Sequence, residues 1–230
     1  MAVPALTIYS ARICPWAQRV TLALREVGAY DNKQVEHVEI DLQPRAPLLS
    51  TKNKPSWYAS KVNPASKVPV IAVGKKGDAD QVNIPESGVL LELVADLFPD
   101  FTDVVTSAWY QVTMQGKPEA ASALLEGVSE IQGLLQRHKG TFLLGDKLSI
   151  GDLAVAPFVG RIYTLGKAGL LADEAFSPLA SDAKFAPFRD YYQALTTRPS
   201  WKETFDDEYI VEKMKARIES TKAQQQQEQK

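Results

Sequence analysis

Apolar positions in the first part of the chain switch between the period of a strand and that of a helix. Ala5-Leu6-Thr7-Ile8-Tyr9 is a continuous apolar run that predicts a buried strand, and from Pro15 to about Gly28 the residues Val20, Leu24 and Val27 recur on one helical face. Gly28 is a C-terminal stop. Val35 to Leu42 alternates apolar and polar, the signature of a half-buried strand, with His37 on its solvated face. An irregular stretch follows, rich in Lys, Pro and Ser, with a turn or two of helix around Trp57-Tyr58. Val68 to Val73 predicts a strand with Pro69 near its start, where a central strand would lose a donor. Gly74 to Asp80 is a turn and Gln81 to Ile84 a short partner, which makes a hairpin. Pro85-Glu86-Ser87-Gly88 opens a helix whose apolar face is Val89, Leu90, Leu93, Val94 and Leu97, stopped by Phe98-Pro99-Asp100.

Strand signals then vanish. Helical spacing predicts helices over Asp103 to Lys117, Pro118 to His138, Leu153 to Leu165, Lys184 to Thr197 and Pro199 to Arg217. Phe142-Leu143-Leu144-Gly145 is a buried connector, and Ser149-Ile150-Gly151-Asp152 carries the S-x-x-D capping pattern. The order βαβ, short helix, ββα gives an α/β thioredoxin-like N-terminal domain, and the remainder an all-α C-terminal domain. The boundaries fall at 1–98 for the first domain, 99–104 for a linker, 105–217 for the second domain, and 218–230 for a Gln-rich tail expected to be disordered.

Composition narrows the function. A net charge of −2 with interspersed signs offers no field to gather nucleic acid or an anionic membrane surface. No apolar run is long enough to span a membrane, and the opening Met1-Ala2-Val3-Pro4 leads into a strand rather than a signal core, so a cytoplasmic location is expected. Cys14 is the single cysteine, which rules out an intramolecular disulfide and a Cys-x-x-Cys pair, so any redox cycle needs an external thiol. Two histidines, His37 and His138, lack the spacing of a metal site, and none is expected.

Cys14 sits where the first strand turns into the first helix, with Pro15 at the first helical position. Unpaired N–H groups and the helix dipole favour a thiolate there, and a free thiol pKa of about 8.5 can fall to roughly 3.5 to 7.5 in such places. A lone cysteine is also commonly a small buried hydrophobe.

The ordered set Cys14-Pro15-Trp16-Ala17, Asn63-Pro64-Ala65-Ser66-Lys67-Val68-Pro69-Val70, Glu86-Ser87 and Ser149-Ile150-Gly151-Asp152 resembles the glutathione transferases, specifically the cysteine-type omega class and its fungal relatives, over about Leu6 to Trp201. The resemblance implies a glutathione transferase fold and glutathione as co-substrate. It implies thiol transfer through a Cys14–glutathione mixed disulfide, with deglutathionylation and dehydroascorbate reduction as class activities. In other classes a Tyr or Ser hydroxyl holds the glutathione thiolate, and Tyr9 and Ser10 compete with Cys14 for the catalytic role. By the same resemblance Val68-Pro69 is a cis bond, the Val68 backbone pairs with the cysteinyl part of glutathione, and Glu86 and Ser87 take the γ-glutamyl end. Lys61 meets the glycyl carboxylate. This sequence has one residue more between Trp57 and Asn63 than the family pattern, which leaves Lys54 and Lys67 as alternatives. Trp109, Tyr110, Phe158 and Tyr163 are candidates for a hydrophobic second-substrate site between the domains, and a homodimer is implied. Ser149 and Asp152 cap a core helix. The alternative function is a carrier of aromatic metabolites such as polyphenols, with secondary catalysis.

Overall fold

The four predicted strands pair into one mixed sheet, ordered β2-β1-β3-β4. The computed structural model describes residues 4–42, 54–78, 81–97 and 119–216. Strand β1 (Leu6–Ser10) leads to helix α1 (Pro15–Glu26), and β2 (Val35–Glu39) returns parallel to β1 with Leu6 opposite Val35. After α2 (Ser56–Lys61), β3 (Val70–Val73) pairs antiparallel with β1, Tyr9 opposite Val70. Strand β4 (Val82–Pro85) completes the sheet against β3 and hands the chain to α3 (Ser87–Leu97). Because side chains alternate across a sheet, Leu6 and Ile8 join a core with Val20, Leu24, Leu90 and Val94 of α1 and α3, while Tyr9, Val70 and Ala72 join Tyr58 of α2 on the other face. Helices on both faces of this sheet give the thioredoxin-like layer.

The helical part comprises α4 (Glu119–His138), α5 (Ile150–Lys167), α6 (Asp173–Ser181), a 3-10 turn (Ala183–Phe185), α7 (Ala186–Thr196), α8 (Pro199–Thr204) and a last helical stretch over 207–216. Helix α5 is its axis, with every residue from Ile150 to Leu165 buried. Its start is fixed by a capping box between Ser149 and Asp152. Asp152 has no solvent exposure and accepts from Ser149 N at 2.7 Å, Ser149 Oγ at 2.6 Å, Leu143 N at 2.9 Å and the Tyr191 hydroxyl at 2.9 Å. That one carboxylate ties the connector at Phe142-Leu143 and helix α7 to the core helix.

The sequence pattern and the structure differ in several places. The strand expected over Val35 to Leu42 ends at Glu39. The strand expected from Val68 begins at Val70, because Pro69 has no N–H for a ladder. Helix α6 was not predicted: it buries only Ala175 and Leu179, one residue pair at i,i+4, and contains Pro178. The helix predicted over Pro199 to Arg217 is broken. Phe205 is extended, with φ −110 and ψ 118, and Asp206 starts a new helix by accepting from Tyr209 N at 2.9 Å. Burial of Phe205, stacked on Trp201 at 4.3 Å, outweighs continuing the helix. The helix predicted over Asp103 to Lys117 lies outside the described residues.

Candidate active site

Cys14 is the N-cap residue of α1, with φ −85 and ψ 115, and Pro15 is the first helical residue. The turn closes by Cys14 N donating to Ala11 O at 2.9 Å, and α1 opens by Gln18 N donating to Cys14 O at 3.0 Å. Cys14 is half-buried as a residue, and its sulfur faces the Val68 carbonyl at 3.9 Å, next to a Val68-Pro69 peptide that is cis. Tyr58 Oη and Asn63 Nδ2 shape this loop, donating to the Lys67 carbonyl at 2.8 and 3.1 Å.

The electrostatics at the sulfur differ from the expectation of a plainly lowered thiol pKa. Burial is the largest influence and pushes the Cys14 thiol up, while the backbone N–H groups of Ala17 and Trp16 and the charges of Arg161 and Lys54 pull it down. The net direction is upward. The N–H groups of the helix start favour a thiolate, but burial of the sulfur outweighs them.

Ser87, 6% exposed, begins α3, and Glu86 stands just before it, exposed and with φ 74. The Ser87 hydroxyl accepts from Arg19 Nη1 at 3.4 Å. Arg19 also donates through Nε to Ala154 O of α5 at 2.7 Å and lies over the Phe158 ring at 4.9 Å. Phe158 in turn meets the edge of Trp16 at 5.5 Å. Cys14, Val68, Ser87, Arg19 and Phe158 are thus linked around the start of α1. Lys61 is exposed at the end of α2, its carbonyl accepting from Asn83 Nδ2 at 3.0 Å, whereas the charge of Lys54 acts on Cys14. Tyr163 packs within the helical part, stacked on Tyr192 at 4.0 Å and near Phe188 at 5.9 Å. Trp109 and Tyr110 lie outside the described residues. Tyr9 is a buried strand residue packed edge-on to Trp57 and Tyr58, and Ser10 is buried beside it.

Two family models match the chain, "Glutathione S-transferase, N-terminal domain" over residues 13–97 and "Glutathione S-transferase, C-terminal domain" over residues 108–194. Among solved structures the chain is similar to glutathione transferase Omega 1C from Trametes versicolor, at 32% identity and TM-score 0.77, covering 93% of this chain and 96% of that one. The chain belongs to the glutathione transferase family. A second Trametes versicolor structure, Omega 2C, is 34% identical with TM-score 0.76, covering 93% of this chain and 98% of that one. Among curated proteins it is 31% identical to Glutathione S-transferase L2, chloroplastic, of Arabidopsis thaliana over 67% of this chain, and it spans about half of that relative's length (52%). The arrangement places the single cysteine at one helix start and Ser87 at another, with the Val68 carbonyl beside the cysteine sulfur.

Sequence reasoning missed Arg19 and Arg161. Arg161 carried a signal, since it is a charge inside the otherwise apolar run Leu153 to Leu165, and a buried guanidinium needs partners that the sequence does not name. Among the described residues no helix is long and apolar enough to cross a membrane.

Proposed function

We propose that this transferase catalyses glutathione-dependent thiol transfer with Cys14 as nucleophile. The observation that carries the reading is the position of Cys14 Sγ, at the first turn of α1 and 3.9 Å from the Val68 carbonyl beside the cis Val68-Pro69 bond. In the proposed cycle the Cys14 thiolate attacks the glutathionyl sulfur of a mixed disulfide. A Cys14–glutathione disulfide forms and the substrate leaves as a thiolate, which takes a proton from solvent. The thiolate of a second glutathione attacks the glutathionyl sulfur bound to Cys14, releasing oxidised glutathione and the Cys14 thiolate. One substrate disulfide is reduced and two glutathionyl sulfurs are joined, so the electrons balance. No second cysteine exists to resolve the intermediate, which is why free glutathione must.

The residues present fit the tripeptide. The Ser87 hydroxyl and the unpaired N–H groups of the α3 start suit the γ-glutamyl carboxylate, with Glu86 for its ammonium. The Val68 backbone suits the cysteinyl unit, and a lysine of the Lys54, Lys61, Lys67 set suits the glycyl carboxylate. Trp16, partly exposed and packed edge-on against the buried Phe158, offers apolar surface to the second substrate. Exposed Val82 on the edge strand β4 and Val89 on α3, at 57% and 51%, support pairing of two copies in the manner of the family.

Intact mass after treatment with oxidised glutathione, followed by removal of free thiol, tests the chemistry. A single glutathionyl adduct is expected on Cys14, and Cys14→Ser is expected to lose the adduct and the turnover. Full thiol-transfer activity in Cys14→Ser would sink the reading.

A further inference from the structure

We propose that Arg161 is a positioning residue for the nucleophile: its buried guanidinium, carried by α5, holds the Ile13 carbonyl and supplies the positive charge that the Cys14 sulfur meets when it becomes a thiolate. This rests on Cys14 being the nucleophile.

Arg161 is 8% exposed, on the helix that is buried along most of its length. Its Nη2 donates to Ile13 O at 3.1 Å, and its Nη1 donates to Gln18 Oε1 at 2.7 Å and to Pro157 O at 2.8 Å. The Phe205 ring stands 5.5 Å from its carbon. All of these partners are neutral, and among the described residues no ion pair to a carboxylate involves Arg161. A cation held this way is costly, since burial removes water and no anion replaces it. Two backbone carbonyls and an amide could be served by a neutral donor. What the charge adds is a field, and the anion that can use it is the residue immediately after Ile13.

The other groups facing Cys14 come from each element around it. The cation of Lys54 lies before α2, that of Arg19 lies on α1, and the N–H groups of Trp16 and Ala17 are in the first turn. The Tyr58 hydroxyl stands on α2 and is engaged with Lys67 O. Burial lowers Arg161 and Arg19 to about 10, and the Cys14 anion is what pulls each back up. Both arginines remain charged at neutral pH, so the field is present when the thiol ionises. Arg19 already serves Ser87 and Ala154, whereas Arg161 reaches the turn itself. Gln18 steadies the arrangement, since it receives Arg161 and donates through Nε2 to Thr204 O at 3.0 Å. The active turn of the α/β part is therefore set by a charge from the helical part.

The experiment is the pH profile of Cys14 alkylation by iodoacetamide, from about pH 6 to about pH 10, in wild type, Arg161→Met, Arg161→Gln and Arg161→Lys, with circular dichroism and melting curves on each. Arg161→Met and Arg161→Gln are expected to react about tenfold more slowly at neutral pH, with the midpoint moved to higher pH. Arg161→Lys, which keeps the charge, is expected to stay near the wild-type midpoint. A folded Met or Gln variant with an unmoved midpoint overturns the proposal, as does a Lys variant shifted as far as the Met variant. Loss of the fold in both neutral variants overturns it too, since Arg161 would then be a scaffold residue. Alkylation needs no glutathione. Failure of the thiol-transfer reading would appear as an absent glutathionyl adduct, with this profile still shifting.

Discussion

Arg198 clasps Glu26 across the junction between the sheet domain and the helical part: Nε donates to Oε1 at 2.9 Å, Nη2 reaches Oε2, and the Ser200 hydroxyl closes on Oε1. Glu26 is the last residue of α1, so the clasp fixes the far end of the helix whose first turn carries Cys14. Its side chain is only 10% exposed. Removing one partner of a buried pair leaves the other charge poorly solvated, though Arg198 at 33% exposure recovers part of that from water. Glu26→Ala is expected to cost about 2 kcal/mol in urea unfolding with an unchanged m value. A loss within about 0.5 kcal/mol would class the pair with solvated surface ion pairs.

Gly160 of α5 faces the stacked Trp201 and Phe205. A Cβ there would stand 2.4 Å from Trp201 Cη2 and 2.5 Å from Phe205 Cε2, both atoms of rigid rings. Gly160→Ala gains about 1 kcal/mol of helix propensity but forces an overpacked core at about 1 to 3 kcal/mol. The melting temperature is expected to fall, and a variant more stable than wild type would show that the rings shift freely.

The proposed contact of a lysine with the glycyl carboxylate of glutathione can be tested by kinetics. Lys54 acts on Cys14, whereas Lys61 is exposed at the end of α2. Lys54→Met is expected to raise the KM for glutathione about tenfold, the worth of one charged hydrogen bond. Lys61→Met should raise it less. The reverse order in steady-state assays would assign the role to Lys61.

Alkaline pH should unfold the protein by proton linkage. Burial pushes Tyr30 up to about 12 and raises Tyr58, Tyr163 and Tyr191 well above the ordinary phenol value, and the Cys14 thiol is raised as well. A group whose pKa is higher in the folded state stabilises the fold fully below its unfolded pKa. That contribution is lost as pH rises through the folded pKa. Stability is therefore expected to decline from about pH 8.5, where the unfolded thiol begins to ionise, and more steeply above about pH 10, where unfolded tyrosines do. Melting temperature against pH, with phenolate absorbance followed beside circular dichroism, checks this. Buried phenols that ionise while the helical signal is intact would contradict it.

The alternation of periods, the stop at Gly28, the hairpin before Glu86-Ser87 and the Ser149–Asp152 cap are local signals, and each appears in the structure where the sequence places it. Helix α6 and the break at Phe205 were not legible, because both depend on which partners cover a short apolar face. Of the candidate site, Cys14 at a helix start with Pro15 was readable from neighbours in sequence. The ties of Arg19 to Ser87 and of Arg161 to Ile13 join residues 68 and 148 positions apart, and no local pattern encodes them.

The sequence by itself determined that the single cysteine stands before a helix-starting proline with no second cysteine to pair with, and it determined the order of the four strands and their helices, because these follow from residue type and short-range spacing. Only the tertiary structure decided how dry the sulfur is and which charges surround it. Desolvation raises the thiol and cations from α5 and from the segment before α2 oppose that, a balance set by packing across the domain junction rather than by any stretch of chain.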